Sequence, residues 1–169
     1  MQAAAQRVKL ATSAGDIVLE LDPVRAPKSS ANFLQYVRAG QYNGTIFHRV
    51  IDNFMIQGGG MNPDMSERPT KAPIPLEARN GLNNVRGSVA MARTSAPDSA
   101  TAQFFINLND NAFLDAANTR DGNGYAVFAT VVSGMDVVDR IKSVPTVTKG
   151  SHQNVPSMPI VIKQATEEK

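Results

Sequence analysis

The stretch that most constrains this chain is residues 46–60, IFHRVIDNFMIQGGG, where two short apolar runs, 46–51 and 54–57, flank Asp52-Asn53. β-Branched and aromatic residues dominate both runs, the signature of two strands joined by a tight connection. Side chains alternate across a strand, so the spacing puts Phe47, Arg49 and Ile51 on one face and His48 and Val50 on the other. Arg49 thereby falls on an otherwise apolar face. A guanidinium keeps its charge, so it needs partners when buried and is better housed at a half-open pocket. Across the connection Met55 and Gln57 share a face, adding a thioether and an amide. One cation, one amide and several apolar groups without a carboxylate suit an uncharged substrate better than acid–base chemistry. The same residues also fit a plainer arrangement, an Arg at a barrel rim stacked on Phe for packing.

The rest of the chain reads as strands with few helices. Residues 7–12 (RVKLAT) and 16–22 (DIVLELD) alternate apolar and polar around Ser13-Ala14-Gly15, which predicts a β-hairpin. Residues 26–39 carry Pro27 near a helix start, Phe33, Leu34 and Val37 at helical spacing, and Gly40 as the stop. Residues 61–87, broken by Pro63, Pro69, Pro73 and Pro75, predict a long ordered surface loop. Strands follow at 88–93, 103–108, 126–132 and 160–165, with a turn or short helix at 111–115. Ser133 is placed to cap a helix over 134–143, in which Asp136 and Arg140 are spaced for an ion pair. Many strands and only two helices predict an antiparallel closed β-barrel. Residues 1–6 read as a disordered tail, 7–166 as a single domain, and 166–169 as a frayed end.

Composition narrows the function classes. At 169 residues the chain is one domain with room for a real core, and 42% hydrophobic with 19% charged is ordinary for a globular protein. A formal net charge of +2 without any Lys/Arg run leaves no footprint for nucleic acid or an anionic membrane. No apolar run approaches the roughly 18 residues of a membrane helix. With no Cys and two His, a transition-metal site is not expected. The Asn/Asp-rich stretch 107–121 has Ala112 where a calcium loop needs Gly, and no closing Glu. Gly58-Gly59-Gly60 lacks the spacing and Lys of a phosphate loop, so close backbone packing is expected there. His48 is expected as a hydrogen-bonded structural His facing away from Arg49, and His152 as simply solvated in a late loop.

The ordered set FHRVI, FMIQGGG, MARTSAPDSATAQFFI, FLD and GYAVF resembles the cyclophilin-type peptidyl-prolyl isomerases, the bacterial ones above all, from about residue 8 to about residue 162. The resemblance implies a mainly β fold, a closed eight-stranded antiparallel β-barrel capped by two α-helices. It implies a cofactor-free monomer that isomerises X-Pro bonds and helps folding, with proline-containing peptides and unfolded polypeptides as partners. It is nearest to periplasmic members. Residues 1–6 (MQAAAQ), which lack an apolar signal core, look like the small-residue stretch beside a signal cleavage site, so a periplasmic location is expected, with a cytoplasmic one as the alternative.

Carried over position by position, the resemblance makes Arg49 the catalytic residue and Phe54, Met55, Phe105 and Leu114 the apolar walls. Gln57 would orient Arg49 and the substrate carbonyl. Ala92, Arg93 and Thr94 would form the strand edge that pairs with the peptide, and Gln103 would be a polar lining residue. Strict alternation turns Phe54 away from Met55, which a bulge or bend near Asp52-Asn53 would reconcile. Phe113 and Tyr125 stand where many eukaryotic members have Trp and His, so a cyclosporin-type ligand, deprived of an indole N–H, is expected to bind weakly. Arg93 replaces the usual Asn and would favour acidic residues beside the proline. Two other classes fit parts of the pattern: a module that grips proline segments without turnover, and a ligand-carrying barrel of the lipocalin kind.

Overall fold

The computed structural model describes residues 6–119 and 122–168. Alternation organises the first hairpin, β1 (Gln6–Thr12) and β2 (Gly15–Leu21), in which Val8, Leu10, Ile17, Leu19 and Leu21 are buried. The later strands are β3 (Thr45–Ile46), β4 (Arg49–Ile51), β5 (Met55–Gly58), β6 (Ser88–Met91), β7 (Phe104–Asn107), β8 (Val127–Ser133), β9 (Thr146–Lys149), β10 (His152–Pro156) and β11 (Val161–Glu168). Nine of them form one antiparallel sheet in the order β3-β11-β1-β2-β8-β6-β7-β5-β4, and β9 with β10 forms a separate hairpin.

The expected closed barrel of eight strands is therefore a curled sheet of nine. Residues 45–51 leave the ladder at Phe47-His48: Thr45 and Ile46 pair with Ile162 and Val161, whereas Arg49 and Ile51 pair with Gln57 and Met55. The two edges of the sheet are thus consecutive in the chain, and the covalent link at Phe47-His48 does what a continuous ladder would do in a closed barrel. The break also resets the alternation. Phe47 and Val50 point into the main core, while Arg49 is exposed and Ile51 half-buried on the outer face. Phe47 does not share a face with Arg49, contrary to the expectation from strict period two.

Two helices pack against the sheet. α1 (Pro27–Arg38) has Pro27 in its first turn and no side-chain cap of its own. Its free N–H groups are taken by Glu77 from the long loop, whose carboxylate accepts from Lys28 N at 3.1 Å, Ser29 N at 2.6 Å and Ser29 Oγ at 2.8 Å. Phe33 of α1 meets Phe104 edge-on at 5.4 Å and Phe128 at 5.1 Å, which fills the barrel interior with aromatic rings. α2 (Met135–Lys142) starts one residue later than expected, and Ser133 belongs to β8 rather than capping it. The N-cap is Gly134 at φ +92°, where an added Cβ would collide with Asp16 O. The Asp136–Arg140 pair forms at 2.9 Å.

Four further expectations change. Gln6 belongs to β1, and β11 runs through Glu168 where a frayed end was expected, because Arg7 and Val8 pair with Glu168 and Glu167. Residues 1–5 of the expected tail lie outside the described residues. The hairpin β9–β10 was not anticipated, because Thr146, Val147 and Thr148 are all exposed and carry no apolar alternation. It brings His152 edge-on to the buried His48, with ring centroids 6.3 Å apart, so His152 is not merely solvated.

Candidate active site

The outer face of β4, β5, β7 and β6 carries the site. Strand register aligns Arg49 with Gln57, Gln57 with Phe105, and Phe105 with Ala90, so these four side chains form one row across the sheet. Met55, Ala90, Phe105, Leu114 and Val127 make a second buried apolar cluster, separate from the barrel core, with Ile51, Phe54, Ala92 and Tyr125 packed against it. Above this floor lies a groove of about 140 Å³ lined by Arg49, Phe54, Met55, Gln57, Ala92, Arg93, Phe105, Leu114 and Tyr125. An apolar cavity of about 150 Å³ admits a benzene-sized ring, so the groove is sized for one small ring.

The turn between β4 and β5 settles where Phe54 points. Phe54 N donates to Ile51 O at 3.1 Å, and Asn53 sits at φ +62°, a value Asn tolerates. Phe54 thus ends a turn instead of opening a strand, which frees it from alternation and lets it line the groove beside Met55. The expected bend near Asp52-Asn53 is this turn.

Arg49 has no carboxylate partner among the described residues. Its Nη1 makes a long contact of 3.4 Å to Gln57 Oε1, and Gln57 Nε2 donates to Gln103 Oε1 at 2.8 Å. A chain of two amides, Gln57 and then Gln103, thus runs from the guanidinium, beginning with a long contact. Gly60 keeps this chain in place, since an added Cβ there would collide with the Gln103 side chain. Gly58-Gly59-Gly60 is packing, as expected. Gln103 and Thr94 line an adjoining cavity of about 160 Å³ with Glu67, Ser99 and Thr101, rather than the groove itself.

The edge formed by residues 92–94 is half used. Ala92 N donates to Gln103 O at 3.0 Å and Thr94 N to Ser99 Oγ at 3.0 Å, while the peptide N–H and C=O of Arg93 between them make no hydrogen bond among the described residues. The Arg93 side chain curls back. Its Nε and Nη2 donate to Gly124 O at 3.1 and 2.6 Å, its Nη1 donates to Thr94 O at 2.8 Å, and its guanidinium carbon lies 4.6 Å over the Tyr125 ring. Tyr125 in turn meets Phe105 edge-on at 5.7 Å. Phe113 does not line the groove: it is 60% exposed at the rim, 5.7 Å from the Phe54 ring, because it projects outward from the 3₁₀ turn Ala112–Leu114 while Leu114 projects inward.

His48 differs from its expectation as a hydrogen-bonded residue. Its Nδ1 is buried without a hydrogen-bond partner among the described residues. Burial first, and then the neighbouring His152 and Arg49 charges, push its pKa down from 6.5 to about 4, so it is neutral at pH 7. Among the described residues no group of three or more His, Cys, Asp or Glu is placed to hold a metal ion, and no helix is long and apolar enough to cross a membrane. The sequence reading missed Glu67, Ser99 and Thr101 in the adjoining cavity, and the buried Asn84, Asn107 and Asn111 behind the groove. Asn107 did leave a signal: it is the lone polar residue of the strand FFIN.

Comparison with known proteins places the chain in a family. The fold is that of a Cryptosporidium parvum cyclophilin type peptidyl-prolyl cis-trans isomerase crystallised in the presence of the dipeptide Ala-Pro, with a TM-score of 0.83 and 27% identity over 97% of this chain and 99% of that one. The sequence profile of the cyclophilin type peptidyl-prolyl cis-trans isomerase/CLD family matches residues 7–167. Peptidyl-prolyl cis-trans isomerase cyp18 of Streptomyces antibioticus is 60% identical, over 94% of this chain and 96% of its own. Peptidyl-prolyl cis-trans isomerase B of Escherichia coli K12 is 56% identical, over 92% and 95%. The chain belongs to the cyclophilin-type peptidyl-prolyl cis-trans isomerases, and it is an isomerase.

Proposed function

We propose that the groove takes the proline ring of an extended polypeptide and that Arg49 accelerates rotation about the preceding peptide bond. That bond resists rotation because its C–N link has partial double-bond character, with a barrier of ~18–20 kcal/mol. Rotation out of plane breaks the conjugation and leaves the proline nitrogen pyramidal and basic. A donor aimed at this nitrogen binds the twisted form more tightly than the planar one, which is the condition for catalysis. Turnover at ~10³ s⁻¹ requires the site to remove about 7 kcal/mol from a barrier of ~20 kcal/mol. One charged hydrogen bond from Arg49 would supply about half, and the held geometry of ring and flanking peptide the rest.

The observation that carries this reading is the guanidinium at the groove, in long contact with the Gln57 amide and free of any carboxylate among the described residues. The unpaired N–H and C=O of Arg93 offer the flanking residue of the substrate a strand-like pairing. The barrel interior, filled by Phe33, Phe104 and Phe128, leaves the carrier reading without support. On this reading the chain acts as a monomer on unfolded or flexible polypeptides. Phe113, exposed and without an N–H donor at the rim, is consistent with weak binding of a cyclosporin-type ligand.

The test is a coupled isomerisation assay on an Ala-Pro peptide with Arg49→Ala. Loss of one donor to the reacting centre should cost roughly 10²–10³ in rate, with peptide affinity within a few fold. A protein whose groove only grips proline segments would show negligible turnover before the substitution as well as after it.

A further inference from the structure

Behind the far wall of the groove lies a group of buried amides that the isomerisation chemistry does not use. Asn107 ends β7 in register with Met55 on the outer face, and it is fully buried. Its Nδ2 donates to Asn84 Oδ1 at 3.1 Å and to Ser88 Oγ at 2.9 Å, and its Oδ1 accepts from Asn111 Nδ2 at 2.8 Å. Every hydrogen-bonding position of this amide but one lone pair is filled.

The outer ends of the group fall on the backbone of the groove walls. Asn111 Nδ2 also donates to Phe54 O at 2.8 Å, beside Leu108 N at 2.9 Å, so both lone pairs of that carbonyl are occupied. Asn84 holds the segment that carries Leu114: its O accepts from Asn111 N at 2.8 Å, and its N and Nδ2 donate to Asp115 Oδ1 at 2.6 and 3.0 Å. Leu114 is bonded on either side, its N donating to Asn111 O at 2.9 Å and its O accepting from Tyr125 N at 3.0 Å. Phe54, Leu114 and Tyr125 come from three irregular segments that no ladder pairs with one another. The amide group joins Phe54 to the segment of Leu114, and the backbone bond from Tyr125 N to Leu114 O carries the link on to the third wall.

A leucine at position 107 would serve packing alone with no buried amide to satisfy. A buried amide with both donors and an oxygen lone pair bonded instead permits one arrangement of its partners and penalises the rest. We propose that Asn107, with Asn84 and Asn111, is a positioning cluster that sets the separation of the Phe54, Leu114 and Tyr125 walls and thereby the fit of the proline ring. This rests on the reading of the groove given above.

The test compares Asn107→Leu and Asn111→Ala with the unsubstituted chain on an Ala-Pro peptide, with KM and kcat determined separately and peptide affinity titrated directly. The expected result is a KM and dissociation constant raised about tenfold, with kcat within twofold, because Arg49 and its amide tether are untouched. A cluster that only stabilises the fold would lower the active fraction, so apparent kcat would fall while KM and affinity stayed put, and the proposal would be overturned. Should Asn107→Leu fail to give a folded circular dichroism spectrum, Asn111→Ala decides by the same split. Arg49→Ala run in parallel separates the two levels. If it is inactive while both Asn variants keep the original KM, the positioning role alone is wrong; if it retains turnover, the reading of the groove falls first.

Discussion

The two faces of the same four strands divide the labour of this molecule. On the inner face Val50, Ile56, Phe104, Ile106, Val89 and Met91 join one continuous apolar core with α1. On the outer face the alternate residues Met55, Phe105 and Ala90 make a smaller apolar floor, and its neighbours are Arg49 and Gln57. A period of two lets one strand serve both, so that Phe104 builds the fold and Phe105 the groove. The inner face tolerates no charge because nothing there would pair with it; the outer face holds a cation because Arg49 stays exposed there beside the Gln57 amide. Stability should therefore be read on one face and catalysis on the other.

The largest expected effect lies on the inner face. Phe104→Ala removes a fully buried ring that meets Phe33, Tyr42 and Phe47 edge-on, and should cost about 3–5 kcal/mol of stability in urea unfolding. The fraction that stays folded should keep its KM; a strongly altered KM would break the division between faces.

Next is an acid effect at the seam between the two edges of the sheet. The unfolded chain takes a proton on His48 from about pH 6.5 downward, whereas the folded chain holds out to about 4. The folded pKa lies below the unfolded one, so stability is intact at neutral pH and falls as pH drops through that window. The loss approaches about 3 kcal/mol at its acid end. His48→Phe should flatten this part of the stability–pH curve relative to the unsubstituted chain; parallel curves would mean that His48 takes its proton without resistance.

On the outer face the effects should be smaller in stability and visible in rate. Gln103→Ala removes the 2.8 Å bond that holds Gln57, and through it the tether of Arg49. A loss of about 1 kcal/mol corresponds to roughly a fivefold fall in kcat, with melting temperature nearly unchanged. The smallest effect should come from Arg93→Asn. Its Nε, Nη1 and Nη2 are each already bonded to a Gly124 or Thr94 carbonyl, so its charge, more than a new hydrogen bond, would act on an acidic neighbour of the proline. The preference for a Glu-flanked over a neutral peptide should drop about twofold at low salt and vanish at high salt.

How far the sequence carries this division can be seen residue by residue. The hairpin 6–21, helix α1 and the strands flanking the groove were legible because their apolar spacing is local. The residues that line the groove fall within the motifs quoted above. What failed was long-range. Alternation broke at Phe47-His48, where the chain changes partners from β11 to β5, and no local pattern announces such a change. The hairpin at 146–156 is polar on its exposed strand and so looked like loop. The side-chain bonds from Asn107 to Asn84 and from Asn111 to Phe54 span 23 and 57 residues, and a single sequence records only that an Asn stands at each place.

The most direct measurement follows an Ala-Pro peptide by NMR exchange spectroscopy in the presence of catalytic amounts of the unsubstituted chain and of Arg49→Ala. A guanidinium that acts on the twisted amide requires cis–trans exchange cross-peaks with the unsubstituted chain and their disappearance with Arg49→Ala, while the peptide's bound-state shift changes persist. Exchange that survives the substitution, or shift changes that vanish together with it, would contradict that role.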